Sequence, residues 1–201
     1  MFDLSLQQVI FRVLAFLYVS TVHGLFLAAL ARGLGDKGVG YDGRLTANPL
    51  VHLDLLGLVG GIIGRVGWSK WMNIDAKALH GKQAGLVLAV LASLALTVVA
   101  GLALLQIQGL VIRLAPPNAT PAILAFLRVT AEMSIYFALI NLLPFPPFAG
   151  GHFLAAVAPR ALVAMNRYAV WLGVAVIAVL VLAGPAVVRP VIAPVVARLM
   201  G

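Results

Sequence analysis

Four long apolar runs decide what this chain can become. They cover roughly residues 6–31, 84–105, 121–143 and 168–188. A helix needs about 20 apolar residues to cross about 30 Å of hydrocarbon. In lipid, an open chain satisfies its backbone only as helix. The sequence is 63% hydrophobic and 10% charged, whereas a soluble domain is about 45–50% apolar and about 25% charged. A core of this size cannot hide that excess. The expected fold class is an all-α integral membrane protein, one domain over residues 1–201 with about four transmembrane helices.

The net charge of +8 reads as basic residues at span ends facing headgroups, not as a nucleic-acid surface. The absence of cysteine excludes disulfides and thiolate metal sites. Asp3 precedes any basic residue, and the first apolar run is too long for the core of a signal peptide, so no cleaved leader is expected.

Residues 33–82 form a long first loop. Within it, Leu55 to Gly64 is apolar, glycine-rich and too short to cross, which predicts a re-entrant or interfacial segment after the first span. Its Gly-x-x-x-Gly spacings, Gly57 to Gly61 and Gly60 to Gly64, are expected to serve a tight bend, and Trp68 and Trp71 to anchor at headgroup level. Arg32, Lys37, Arg44, Arg65, Lys70, Lys77 and Lys82 border or fill this loop, and Arg160 and Arg167 lie between the third and fourth spans. The opposite side has Arg12, Arg113, Arg189 and Arg198. The bias predicts cytoplasmic first and third loops, both termini outside, and an interfacial tail over 189–201.

The stretch Gly43-Arg44-Leu45-Thr46-Ala47-Asn48-Pro49-Leu50-Val51-His52-Leu53-Asp54-Leu55-Leu56-Gly57, preceded by Leu34-Gly35-Asp36, carries a resemblance. So do Gly67-Trp68-Ser69-Lys70 and Asn141-Leu142-Leu143-Pro144-Phe145-Pro146-Pro147-Phe148-Ala149-Gly150-Gly151. In this order and spacing they resemble the short bacterial branch of the site-2 protease family of intramembrane zinc metalloproteases. The resemblance implies that family's helical bundle, a site within the membrane near its cytoplasmic face, and a bacterial inner membrane.

The chemistry the resemblance implies is tested residue by residue. Such a hydrolase needs three protein ligands to zinc, two of them histidines at i and i+4 on one helix face, with a glutamate beside the first as base. The matching positions here are His23, Gly24, Leu27 and, for the third ligand, Ala149. One ligand of three is present and the base is absent. In the second span, where the family carries an asparagine, the group that could help hold substrate is at best the hydroxyl of Thr97. His152 is the weak candidate for a replacement ligand, and His23 alone is expected to be a buried, hydrogen-bonded histidine. No cofactor is therefore expected, with zinc only if an altered enzyme site operates.

A second constellation is Arg128 and Glu132, i and i+4 on the third span. Charges inside a membrane are costly and flag function. His23 is expected at a similar depth, giving one intramembrane polar cluster of His23, Arg128 and Glu132, which is too little for an ion path. The reading that follows is a non-catalytic, site-2-protease-like membrane protein. It would be a structural or accessory subunit, or would hold transmembrane helices of partner proteins in a larger complex. A groove at Gly24, Leu27, Asn141 and Ala149 would take the partner helix. The alternatives are an intramembrane zinc metalloprotease with an altered site, and a small transporter or lipid-binding protein.

Overall fold

The computed structural model describes residues 5–200, the side chains at 180 and 183–191 excepted. Asp3, the side chain of Arg189 and Gly201, which entered the sequence reading, lie outside the described residues. The helices run in the order α1 (Leu6–Gly33), α2 (Gly38–Tyr41), α3 (Pro49–His52), α4 (Leu55–Gly64), α5 (Gln83–Ala103), α6 (Gln108–Leu114), α7 (Thr120–Ile140), α8 (Gly151–Val157), α9 (Pro159–Asn166) and α10 (Ala169–Met200). Among the described residues there is no β-strand, only an isolated bridge between Leu53 and Ser69.

Among the described residues, three stretches are long and apolar enough to cross a membrane: Leu6–Gly33, Gln83–Leu114 and Thr120–Ile140. A fourth candidate is Pro159–Asn166 with Ala169–Val179, bent by 77°. The all-helical membrane fold read from the sequence is thus observed. Beyond the expected end of the fourth span, α10 continues as helix to Met200, so the tail over 189–200 is helical and continuous with that span.

α1, α5 and α7 pack on one another to form the centre of the bundle. Small side chains let them approach. On α5 the buried face repeats every fourth residue as Gly85, Ala89, Ser93, Thr97 and Gly101, and on α7 as Thr130, Ser134 and Ala138. A Cβ on Gly101 would fall 2.2 Å from Ser134 Oγ, so backbone and side chain are already in contact there. This small-residue spacing is what packs helices where lipid removes the hydrophobic driving force. The hydroxyls cost nothing, because each is satisfied within its own helix: Thr97 donates to Ser93 O at 2.7 Å, and Ser134 to Thr130 O at 2.9 Å.

The short apolar run is a helix, not a bend. α4 starts from the end of the bundle that carries the first loop, where Asp54 caps it by accepting from Gly57 N at 2.8 Å. It ends at Arg65, in the left-handed region with φ 60°, and the chain then returns in extended form. Its glycines serve close approach. A Cβ on Gly57 would meet Trp68 O at 2.1 Å, and one on Gly61 would meet the Phe16 ring at 2.6 Å. Trp68 is correspondingly buried, 2% exposed, edge-on to Phe148. The headgroup-anchor expectation fails for Trp68 because the returning segment packs inside the protein rather than at its rim.

The re-entry also moves a charge. The Arg12 guanidinium donates to the carbonyls of Ile62 and Ile63 at the C-terminus of α4, where orphan carbonyls and the negative end of the helix dipole favour a cation. Arg65 pairs with Glu132 of α7. Arg65 is therefore not a first-loop surface charge as expected, since α4 carries it through the bundle to α7.

Candidate functional site

The loop residues that carry the resemblance each have a structural task. Gly43 adopts φ 69°, open to glycine without strain. Arg44 staples two segments, donating to Val51 O and Trp71 O, both at 2.8 Å. Asn48 caps α3 by accepting from Leu50 N, and Pro49 follows at the first helical position. His52 Nε2 lies 2.9 Å from Thr46 O, and the His52 carbonyl accepts from Lys70 N at 2.8 Å. Asp36 ties the start of the loop to its end, accepting from Gly38 N at 2.8 Å and Asp75 N at 2.9 Å.

The turn after α7 is pinned in the same way. Asn141, fully buried, donates from Nδ2 to Gly67 O and Phe137 O at 2.9 Å, and its Oδ1 accepts from Ala149 N at 3.1 Å. One carboxamide thus joins the end of α7, the returning segment beside α4, and the turn that presents position 149.

The wall these parts surround is different in character. His23 is fully buried and packs against Phe137, ring centroids 5.1 Å apart. Neither of its ring nitrogens has a hydrogen-bond partner among the described residues. The Ser93 carbonyl approaches the ring without reaching hydrogen-bond geometry. The hydrogen-bonded histidine expected from the sequence is thus buried but orphaned. Leu27 and Ala149 are 2% and 7% exposed, and Thr97 spends its hydroxyl on Ser93.

Position 24, where a base would stand, is filled from the loop. A Cβ on Gly24 would fall 2.1 Å from His52 Nδ1 and 2.7 Å from its Cγ. With Thr46 O as acceptor, the His52 proton sits on Nε2, and the Nδ1 lone pair faces Gly24 without a polar partner. The expected groove at Gly24, Leu27, Asn141 and Ala149 is therefore not open. All four residues are buried, because His52 lies over the first and the Asn141-pinned turn covers the others.

His152 begins α8 and stacks on Trp71, centroids 4.0 Å apart and rings nearly parallel. Its Nδ1 and Nε2 lie 2.9 Å from Ala149 O and Met72 O, so each nitrogen faces a backbone carbonyl, and the neutral ring donates to one of the two. Burial pushes its imidazolium below the usual range, against the pull of those two carbonyls. Burial also lowers His52, opposed by Thr46 O and helped by the Arg44 charge. His23, Leu27, Met72, Ala149 and His152 line a cavity with about 10 Å³ of room for the centre of a water-sized sphere, at the lower limit for a single water.

The donor set does not make a zinc site. The side chains of Leu27 and Ala149 offer no lone pair, and both His152 nitrogens are turned to the backbone carbonyls of Ala149 and Met72. No group of three or more His, Cys, Asp or Glu among the described residues is placed to hold a metal. His23 remains a lone imidazole, short of the three protein ligands a catalytic zinc takes. Nor does His23 join the ionic cluster expected of it. Glu132 pairs with Arg65 and, at 3.6 Å, with Arg128, while His23 faces Phe137 and the cavity by His152. Arg65 was missed as the main partner because its place depends on α4 re-entering; the short glycine-rich run was the signal that could have found it.

The model of the family described as Peptidase family M50 matches residues 2–184. A Bacillus subtilis (strain 168) protein named "Putative zinc metalloprotease YwhC" is 24% identical over 143 residues, 69% of this chain. The chain spans about 65% of that relative's length. No solved structure matches.

Proposed function

This chain belongs to peptidase family M50, and we propose that within this family it is a non-catalytic member, a structural or accessory protein of the bilayer rather than a protease. The observation that carries the reading is the contact of His52 with Gly24: the volume a catalytic carboxylate needs holds a loop imidazole. Leu27 and Ala149 support it, since neither can replace the missing ligands. With no metal to acidify water and no base to take its proton, peptide hydrolysis has no nucleophile at this site. What persists is the frame that places the loop and the turn around α1, α5 and α7, and a frame of this kind serves association with other membrane proteins. Because the inherited groove is closed over, we place the partner contact on the outer faces of the bundle. The first-loop end faces the cytoplasm in this reading, in a bacterial inner membrane. Six basic residues, Arg32, Lys37, Arg44, Lys70, Lys77 and Lys82, remain there after Arg65 is removed from the count.

The test uses the full chain purified in mild detergent, with single-span helices as substrates and a His23→Ala variant as control. The expected result is no cleavage above the control, together with stoichiometric co-purification of a membrane protein at native abundance. Cleavage lost in His23→Ala would overturn the reading, and a chain that runs alone would remove its accessory role.

A further inference from the structure

A second polar assembly lies at the end of the bundle away from the first loop, and the proposed function does not use it. Arg12, Arg65 and Arg128 gather around Glu132 from α1, the end of α4 and α7. Among the described residues this sets three guanidinium groups against one carboxylate. Arg12 is satisfied by the α4 carbonyls, and Arg65 takes Glu132 most closely. Arg128 is left as the outlying cation, its side chain 70% exposed and its Nε 3.6 Å from Glu132 Oε1. That distance is an ion pair without a hydrogen bond.

Arg128 also lines a pocket of about 240 Å³ with Gln106, Gln108, Leu102, Leu105 and Leu199. The guanidinium fork and two carboxamides supply donors, and the three leucines supply an apolar side. Beside it runs α6, whose Leu110, Ile112 and Leu114 are 57%, 62% and 74% exposed. An excess of two positive charges, one of them on the exposed Arg128, planar donors and an adjoining apolar surface match one chemical group: a phosphodiester with acyl chains attached.

We propose that this pocket binds the headgroup phosphate of an anionic phospholipid from the leaflet at that end of the bundle, with Arg128 as the principal contact and Gln106 and Gln108 as flanking donors. The lipid supplies the negative charge the cluster lacks, and its chains lie along α6. A carboxylate on a partner helix could neutralise the same charge, but it would leave the carboxamides and the apolar side without a match.

The test is native mass spectrometry of the full chain, titrated with phosphatidylglycerol and with phosphatidylcholine of identical acyl chains. Phosphatidylglycerol should be retained about fivefold more strongly, the equivalent of the ~1 kcal/mol an arginine gains from an anionic membrane surface. Arg128→Gln should erase the difference while leaving the Arg65–Glu132 pair in place. Arg128→Lys, which keeps the charge and loses the fork, should retain part of it and covers the case in which Arg128→Gln fails to fold. Equal retention of the two lipids, or a preference that survives Arg128→Gln, overturns the proposal. So does thermal stabilisation by inorganic phosphate equal to that by phosphatidylglycerol, which would mark a free-anion site. Loss of a co-purifying protein in Arg128→Gln without any lipid preference would assign the cluster to a partner carboxylate instead.

Discussion

The loop and turn of this protein and the helix wall they enclose stand in opposite states. In the loop and turn, Arg44, Asp36 and Asn141 hold backbone groups of other segments, and Asn48 and Asp54 cap the helices that follow them. On the wall, His23 holds nothing, and His52 turns a bare lone pair toward Gly24. The difference teaches what each motif residue does. Those with partners in the chain's own backbone are scaffold. His23 is an imidazole whose ring nitrogens have no hydrogen-bond partner among the described residues, at the position where the resemblance puts a metal ligand.

Five substitutions and a pH scan would break or sharpen that contrast. The largest effect belongs to Asn141→Leu, which orphans Gly67 O and Ala149 N together and takes the second of two bonds from Phe137 O. With each lost buried bond costing about 1–3 kcal/mol, thermal unfolding should show a loss of about 3 kcal/mol or more, or failure to fold. Gly24→Ala should follow, at about 1–3 kcal/mol of overpacking against the His52 ring. Pairing it with His52→Ala should recover most of that loss, because the coupling lies in that one contact; additive losses would show that the contact is not what limits position 24. His152→Leu removes two backbone contacts and the stack on Trp71, and should cost about 2 kcal/mol. His23→Leu is the smallest and the reverse in sign: replacing an orphaned buried imidazole with an apolar side chain should be neutral or stabilising by up to about 1 kcal/mol. If His23→Leu destabilises as much as His152→Leu, the contrast between wall and scaffold is wrong.

The pH scan follows from linkage. Burial lowers the folded-state values of His152 and His52 below the unfolded one. The unfolded chain therefore binds more protons, and stability present above about pH 6.5 declines as pH falls below it. Unfolding temperature should drop between pH 7.5 and pH 5, and His152→Leu should flatten part of that drop.

Much of the fold was legible because the bilayer leaves few choices. Apolar runs of the right length had to become helices, and the spans at 6–31, 84–105 and 121–143 correspond to α1, α5 and α7. The missing ligands were equally plain, since Leu27 and Ala149 are read directly. What the sequence did not yield were contacts made across long separations. Arg65 with Glu132, Trp68 under Phe148, and His52 over Gly24 all depend on α4 entering the bundle as a helix and the chain returning beside it. The glycine run announced close packing but not which neighbour it would meet. The membrane preference for small residues explains Thr97, which looked like a substrate contact and proves to be one step in a stripe that packs α5.

The central claim is that this site keeps its frame and cannot hold the family's metal. Zinc content of the full chain, purified in the presence of zinc and compared with His23→Ala, tests it most directly. The account predicts no zinc above the level of the variant, as expected for a lone imidazole where a catalytic site takes three ligands. One zinc per chain, lost on His23→Ala, would contradict it.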